Sequence, residues 1–236
     1  ADIPRSYYER VVPLWPLAGW ITGGCMALVF WGASFILPTD ICIVVALVTR
    51  VLLTGALHED GFADFCDGFG GGNDRKRTLE IMKDSHIGTY GVLGLVLYFL
   101  LLYASVSNIP EDTIPLLFLC ADTFCKYVSS NLIRILPYSR TEAEAKNKLV
   151  YSTTKWKESI ISLVIGIAPL AIMVISGSIP LMWLYAIIPT ILVFTIMATM
   201  MFRRIQGYTG DCCGALFIMC ELAFYIGVVI LCHINI

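Results

Sequence analysis

Apolar residues dominate seven stretches of the chain, at positions 14–37, 41–57, 87–107, 113–136, 159–177, 179–202 and 212–236. Each is close to the ~20 residues a helix needs to cross the hydrocarbon core of a bilayer. The pattern predicts seven transmembrane helices in one polytopic membrane domain spanning residues 1–236. Pro38, Pro110 and Pro180 punctuate very short connections on one side. The polar segments 58–91, 137–158 and 203–214 all fall on the other. Within the first of these, residues 75–82 read as a short amphipathic helix, followed by Lys83, Asp84 and Ser85. No internal repeat, low-complexity run or cleavable signal peptide is evident.

Charge orients this arrangement, because Lys and Arg of short loops are retained in the cytoplasm. Arg5 and Arg10 precede the first span. Arg75, Lys76, Arg77 and Lys83 follow the second, Arg140, Lys146, Lys148, Lys155 and Lys157 the fourth, and Arg203 and Arg204 the sixth. The alternate connections and the C-terminus contain neither residue. The expected fold is therefore an all-α integral membrane bundle of about seven helices, N-terminus in and C-terminus out, with a short cytoplasmic helix after the second span. Composition agrees: 58% of the 236 residues are hydrophobic and 14% charged, with a mean hydropathy of +0.78. A soluble domain of this size keeps more charge on its surface. The nine cysteines lie mostly within spans and form no CxxC pair, so they read as small packing residues.

Candidate chemistry concentrates between Thr54 and Gly91. Asp60, Asp64 and Asp67 are spaced i, i+4, i+7, which aligns three carboxylates on one helix face. Like charges held together call for a cation, and oxygen-only ligands suit Mg²⁺ or a similar hard ion. Gly68, Gly70, Gly71 and Gly72 are expected to break that helix and let backbone approach phosphate oxygens. Asp84 reads either as a further ligand or base, or as half of an ordinary surface ion pair, with Lys83 a phosphate partner. His58 and His86 are isolated and suit structural or supporting roles.

The fourth span carries Asp122, Lys126 and Arg134. Asp122 and Lys126 are able to neutralise one another. Lys126, Ser130 and Arg134 share a face, with Tyr138 and Arg140 beyond, which suits an anionic substrate. Arg50 is a second cation within a span, with no partner evident from the sequence. Thr209 and Asp211 stand at the start of the last span, where capping is the structural alternative for Asp211. Glu221 lies ten residues further on, about 15 Å of helix. At that depth it needs a proton, a cation such as Lys126, or water. An acidic helix, glycines and inward cations on one face are the parts required for phosphoryl transfer.

The segments TGALHEDGFADFCDGFGGG and LEIMKDSHIGTYG closely resemble the signature of the cobalamin synthase (adenosylcobinamide-GDP ribazoletransferase) family. GYTGDCCGALFIMCELAFY resembles its distal TGD…E element, and PLAGWITGG and PYSR match weaker features, so the likeness spans nearly the whole chain. It implies an EC 2.7.8-type transferase joining adenosylcobinamide-GDP to α-ribazole or its 5′-phosphate and releasing GMP, at a prokaryotic inner membrane. Asp60, Asp64 and Asp67 match the family's D-G-x-x-D-x-x-D arrangement, and Asp84, Asp211 and Glu221 its other acidic positions. Lys126 falls where many relatives place Arg or Lys.

The expectation is Mg²⁺ on the three aspartates, with Asp84 or Asp211 as base and Asp60 essential. Lys83, Lys126, Arg134, Arg140, Gly70, Gly71, Thr209 and Glu221 are the expected substrate contacts. His86 replaces a common Arg, so no phosphate contact is expected there. The family's Thr-Arg-Ile-Pro-like element is expected ahead of Ala1. A CDP-alcohol phosphotransferase is the nearest alternative, but Asp64 follows Ala63 where that pattern has Arg. A divalent-cation or solute transporter would show an inverted repeat. No nucleic-acid partner is expected, whereas Gly19, Gly23 and Gly24 offer a helix-packing surface inside the protomer or between copies.

Overall fold

The computed structural model describes residues 8–141, 150–152 and 155–234. Arg5, Lys146 and Lys148 of the charge pattern lie outside them. Among the described residues ten α-helices follow one another: α1 (Trp15–Ala33), α2 (Thr39–Thr54), α3 (Leu57–Gly71), α4 (Arg75–Ile81), α5 (Thr89–Ser107), α6 (Ile114–Ser130), α7 (Leu132–Ile135), α8 (Trp156–Ile175), α9 (Ile187–Ile205) and α10 (Gly210–Ile234). Short 3₁₀ turns lead into α1, α6 and α9. No strand occurs among the described residues. Pro38, Pro110 and Pro180 cap the starts of α2 and of two of these turns, as their fixed φ favours.

Among the described residues six helical segments are long and apolar enough to cross a membrane: Val12–Ala33, Thr89–Ser107, Glu111–Ile135, Trp156–Ile175, Leu181–Ile205 and Gly210–Ile234. The chain is a multi-pass membrane protein. The third and last of these form the centre, 78% and 67% buried against 22–33% for the others. The peripheral helices turn large apolar side chains outward, among them Leu28, Phe35, Leu100 and Ile188, the surface a lipid environment accepts.

The second span departs from expectation. It is a bent pair, α2 and α3, meeting at 88°. Alone, α2 is about 24 Å long, short of the ~30 Å hydrocarbon core. The count is thus six crossings, or seven if the bent pair is one span. The bend is local. Gly55 and Ala56 both adopt left-handed backbone, φ +61° and +57°. Their amides bond back to Leu52 O at 3.3 Å and Val51 O at 2.8 Å, closing the end of α2. Glycine takes that conformation freely, whereas Ala56 is strained by its Cβ.

Small residues set the other close approaches. A Cβ on Gly19 would lie 2.7 Å from Thr123 Cα, and one on Gly23 2.6 Å from Phe118 O, so α1 packs on α6 backbone to backbone. Gly24 faces open space. The packing surface read in the first span is therefore internal at Gly19 and Gly23. All nine cysteines are free thiols.

Candidate active site

The helix break opens into a cavity of about 570 Å³ between α1, α2, α3, α6 and α10. Two glycines create its acidic wall. A Cβ on Gly61 would sit 3.0 Å from Asp211 Cα, and one on Gly214 3.2 Å from His58 Cα. With no side chains between them, α3 and α10 touch along their backbones. This brings Asp60 and Asp211, 151 residues apart in sequence, onto one cavity. Asp64, one turn beyond Asp60, is half-buried and outside the lining.

The cations Lys126 and Arg140 line the same cavity. Asp122 grips the Lys126 ammonium in a close ion pair. Thr22 Oγ1 donates to Asp122 at 2.8 Å and accepts from Lys126 at 3.0 Å. The Lys126 nitrogen also lies 4.2 Å from the centroid of the Phe217 ring. Arg140 is fixed by donation to Leu79 O at 2.8 Å. Tyr138 and Tyr151 line the cavity alongside. Burial pushes both phenols up, so they stay neutral donors at physiological pH.

Beneath this wall lies a buried charge network. Arg50 pairs closely with Glu221, approaches Glu59 at 3.4 Å and donates to Tyr98 OH at 2.7 Å. It ties α2, α3, α5 and α10 together at the break. Glu221 thus finds Arg50 as its cation, not Lys126. It is fully buried and outside the cavity lining, whereas a substrate contact was expected of it.

Several other expectations resolve the same way. Asp67 is buried, and its two oxygens accept from Gly88 N at 2.7 Å and Gly91 N at 2.8 Å. It caps the first turn of α5 instead of facing Asp60. Of the glycines after it, Gly68, Gly70 and Gly71 continue α3, and the helix ends at Gly72. A Cβ on Gly70 would meet the Tyr90 ring at 2.6 Å and one on Gly71 would meet Ile81 at 3.4 Å, so these two serve packing. Gly72, in extended backbone, gives its carbonyl to Arg204.

Arg134 sits on α7 after the helix breaks at Asn131. It lines a separate crevice with Ser130 and Ser162, so Lys126 and Arg134 do not share a face. Lys83 and Asp84 are exposed in the turn before α5, away from the cavity. Asp84 accepts from the His86 backbone at 3.0 Å and contacts its ring Nδ1 at 2.7 Å, which holds the carboxyl below the usual range. Thr209 is buried and caps α10, its Oγ1 accepting from Cys212 N at 3.4 Å.

Three features escaped the sequence reading: His58 and Phe217 as cavity walls, their rings 4.6 Å apart, and the aromatic rim of Trp15 and Tyr151. Only the apolar run crossing the HED motif hinted at the first.

Among the described residues, no three His, Cys, Asp or Glu side chains form a ready metal cage. Mg²⁺ is usually held through one or two carboxylates together with substrate phosphates. The hard oxygens of Asp60 and Asp211 on one cavity, with Asp64 beside them, fit such an ion.

Comparison with known proteins places these residues in context. The profile of the cobalamin-5-phosphate synthase family matches residues 2–229. A curated adenosylcobinamide-GDP ribazoletransferase of Shewanella amazonensis is 35% identical, over 98% of this chain and 88% of its own. Proteins of the same name from Leptospira interrogans and Leptospira biflexa are 34% and 33% identical, over 96% and 89% of this chain and 87% and 82% of theirs. No solved structure matches.

Proposed function

The chain belongs to the cobalamin-5-phosphate synthase family, and from that membership we propose its reaction in residue terms. It is an adenosylcobinamide-GDP ribazoletransferase, acting on α-ribazole or its 5′-phosphate as acceptor and releasing GMP. The observation that carries the assignment of the site is the meeting of Asp60 and Asp211 with Lys126 and Arg140 in one cavity. Carboxylates for a proton and a metal, facing cations for phosphate, are what phosphoryl transfer requires.

The acceptor's ribose 3′-hydroxyl attacks the phosphorus nearest the cobinamide. One O–P bond forms there, the bridging O–P bond of the diphosphate breaks, and GMP departs with the bridging oxygen. Asp211 takes the hydroxyl proton, being the carboxylate of the distal motif that reaches the cavity; Asp84 does not reach it. Lys126 and Arg140 offset charge on the phosphoryl oxygens. Asp60 and Asp64, one helical turn apart, would hold Mg²⁺, which when bound neutralises the diphosphate and the leaving GMP. Asp122 and Thr22 keep the Lys126 ammonium in place. The polar face opens to the cytoplasm, where the positive-inside pattern puts it, in the inner membrane of a prokaryote.

The test is direct. Purified protein in nanodiscs receives adenosylcobinamide-GDP, α-ribazole phosphate and Mg²⁺, and GMP and corrinoid product are followed by mass spectrometry. Product that disappears with EDTA and in Asp60→Ala is expected. A folded protein that yields none, or an Asp60→Ala variant with normal Mg²⁺ dependence, overturns the assignment.

A further inference from the structure

The cavity is too small for both substrates, and its shape decides which one enters. A volume of about 570 Å³ lies within the range of roughly 300–1,000 Å³ that encloses a drug-sized ligand. A nucleoside phosphate fits. A corrin ring with its amide side chains and adenosyl group is several times bulkier and has to stay outside. Resting on the reaction proposed above, we propose that this cavity is the acceptor pocket, with the acceptor's aromatic base innermost, and that it fills before the corrinoid donor covers the mouth.

Depth along α10 gives the orientation. Asp211 is in its first turn and Phe217 six residues further in, about 9 Å deeper. Asp211 therefore stands nearer the mouth, and Phe217 lies beneath it with the His58 ring and the Lys126 ammonium against its ring. A donor confined to the outside presents its diphosphate at the level of Asp60, Asp211 and Arg140, so the attacking hydroxyl comes from within. The floor also selects the base. Leu53, Leu57 and Phe217 offer it no hydrogen bond. Of the hydroxyls that line the cavity, Thr22 donates to Asp122, Thr54 to Arg50 O at 3.0 Å and Ser129 to Lys126 O at 3.1 Å, which leaves the phenols of Tyr138 and Tyr151 to meet a ligand. Guanine carries N–H donors that Leu53, Leu57 and Phe217 cannot accept. An alkylated benzimidazole, the base of a ribazole, has no N–H on its base to satisfy.

Ala18 lines the cavity from α1 and Trp15 stands one turn above it. Ala18→Phe fills the pocket and is expected to raise KM for ribazole phosphate at least tenfold while KM for adenosylcobinamide-GDP stays within twofold. Trp15→Leu, at a partly buried lining position against the Tyr151 ring, gives the same split to a smaller degree. In wild type, labelled ribazole phosphate mixed with enzyme and chased with donor plus excess unlabelled acceptor is trapped as product in the first turnover. A rise in the donor KM in place of the acceptor KM, or trapping of labelled donor and not of labelled acceptor, overturns the inference. Quenching of tryptophan fluorescence by ribazole phosphate alone, lost in Trp15→Leu, reads the same site without turnover. An inactive wild type that still shows this quenching would therefore condemn the proposed reaction and not the pocket.

Discussion

Asp67 separates two readings of the acidic helix. By spacing it belongs with Asp60 and Asp64; by geometry it holds the start of α5 through Gly88 N and Gly91 N, 21 and 24 residues along the chain. In Asp67→Asn the amide keeps one acceptor oxygen where the carboxylate offered two. One buried N–H is left unpaired, which costs about 1–3 kcal/mol. Loss of the negative charge from a helix N-terminus adds ~0.3–1 kcal/mol. The sum is about 2 kcal/mol, a roughly 30-fold change in a local opening equilibrium. Hydrogen exchange in nanodiscs should show that loss of protection in the first turn of α5, at Gly88 through Gly91. The Mg²⁺ concentration for half-maximal turnover should stay where it was. If that concentration rises tenfold while protection at α5 is unchanged, Asp67 is a metal ligand and the capping argument fails.

Gly61→Ala places a Cβ 3.0 Å from Asp211 Cα; overpacking of this kind costs about 1–3 kcal/mol, and turnover should fall at least tenfold as Asp60 and Asp211 part. Gly24→Ala, with nothing within 4 Å, is the matched control and should be silent in the same assay. Arg50→Met strands Glu221 and Glu59 in the interior and should destabilise by roughly 3–5 kcal/mol, read as loss of monodisperse protein on heating; adding Glu221→Met should restore part of it. Asp84→Asn should leave turnover within twofold, since Asp84 stands away from the cavity. Its depressed pKa means that the small contribution of the His86 turn is intact above the usual carboxylate range and is lost as pH falls through the lowered value. NMR titration of the Asp84 carboxyl, with His86→Ala as comparison, checks the sign.

The helical periods and the Lys and Arg pattern made the membrane bundle legible, because both reflect one-dimensional rules of hydropathy and retained charge. The α2–α3 bend was hidden. Leu52, Leu53, Ala56 and Leu57 keep the apolar run continuous across it, and Gly55 in a hydrophobic stretch reads as packing. For the site, the motifs drew attention to Asp60, Lys126, Arg140 and Asp211, which share the cavity. Asp67, Arg134 and Glu221 could not be sorted from them by spacing. Each depends on a partner remote in sequence or on a helix end: the amides of α5, the break at Asn131, and Arg50.

Arg50 also explains why the fold tolerates a break beside a cavity. Bending α2 away from α3 leaves the backbone at Gly55 and Ala56 without a helical ladder on both sides, which a bilayer interior accepts only where protein or water covers it. The strain at Ala56 adds about 1–2 kcal/mol. A single guanidinium reaching Glu59 just after the bend, Glu221 on α10 and Tyr98 on α5 fixes the bend angle from three directions. Hydrophobic packing alone would not set it, since apolar contacts between helices in lipid are nearly isoenergetic with lipid contacts. Asp60 follows Glu59 directly and Asp211 lies on the helix that carries Glu221. The network that holds the bend is therefore also what sets the two cavity carboxylates against each other.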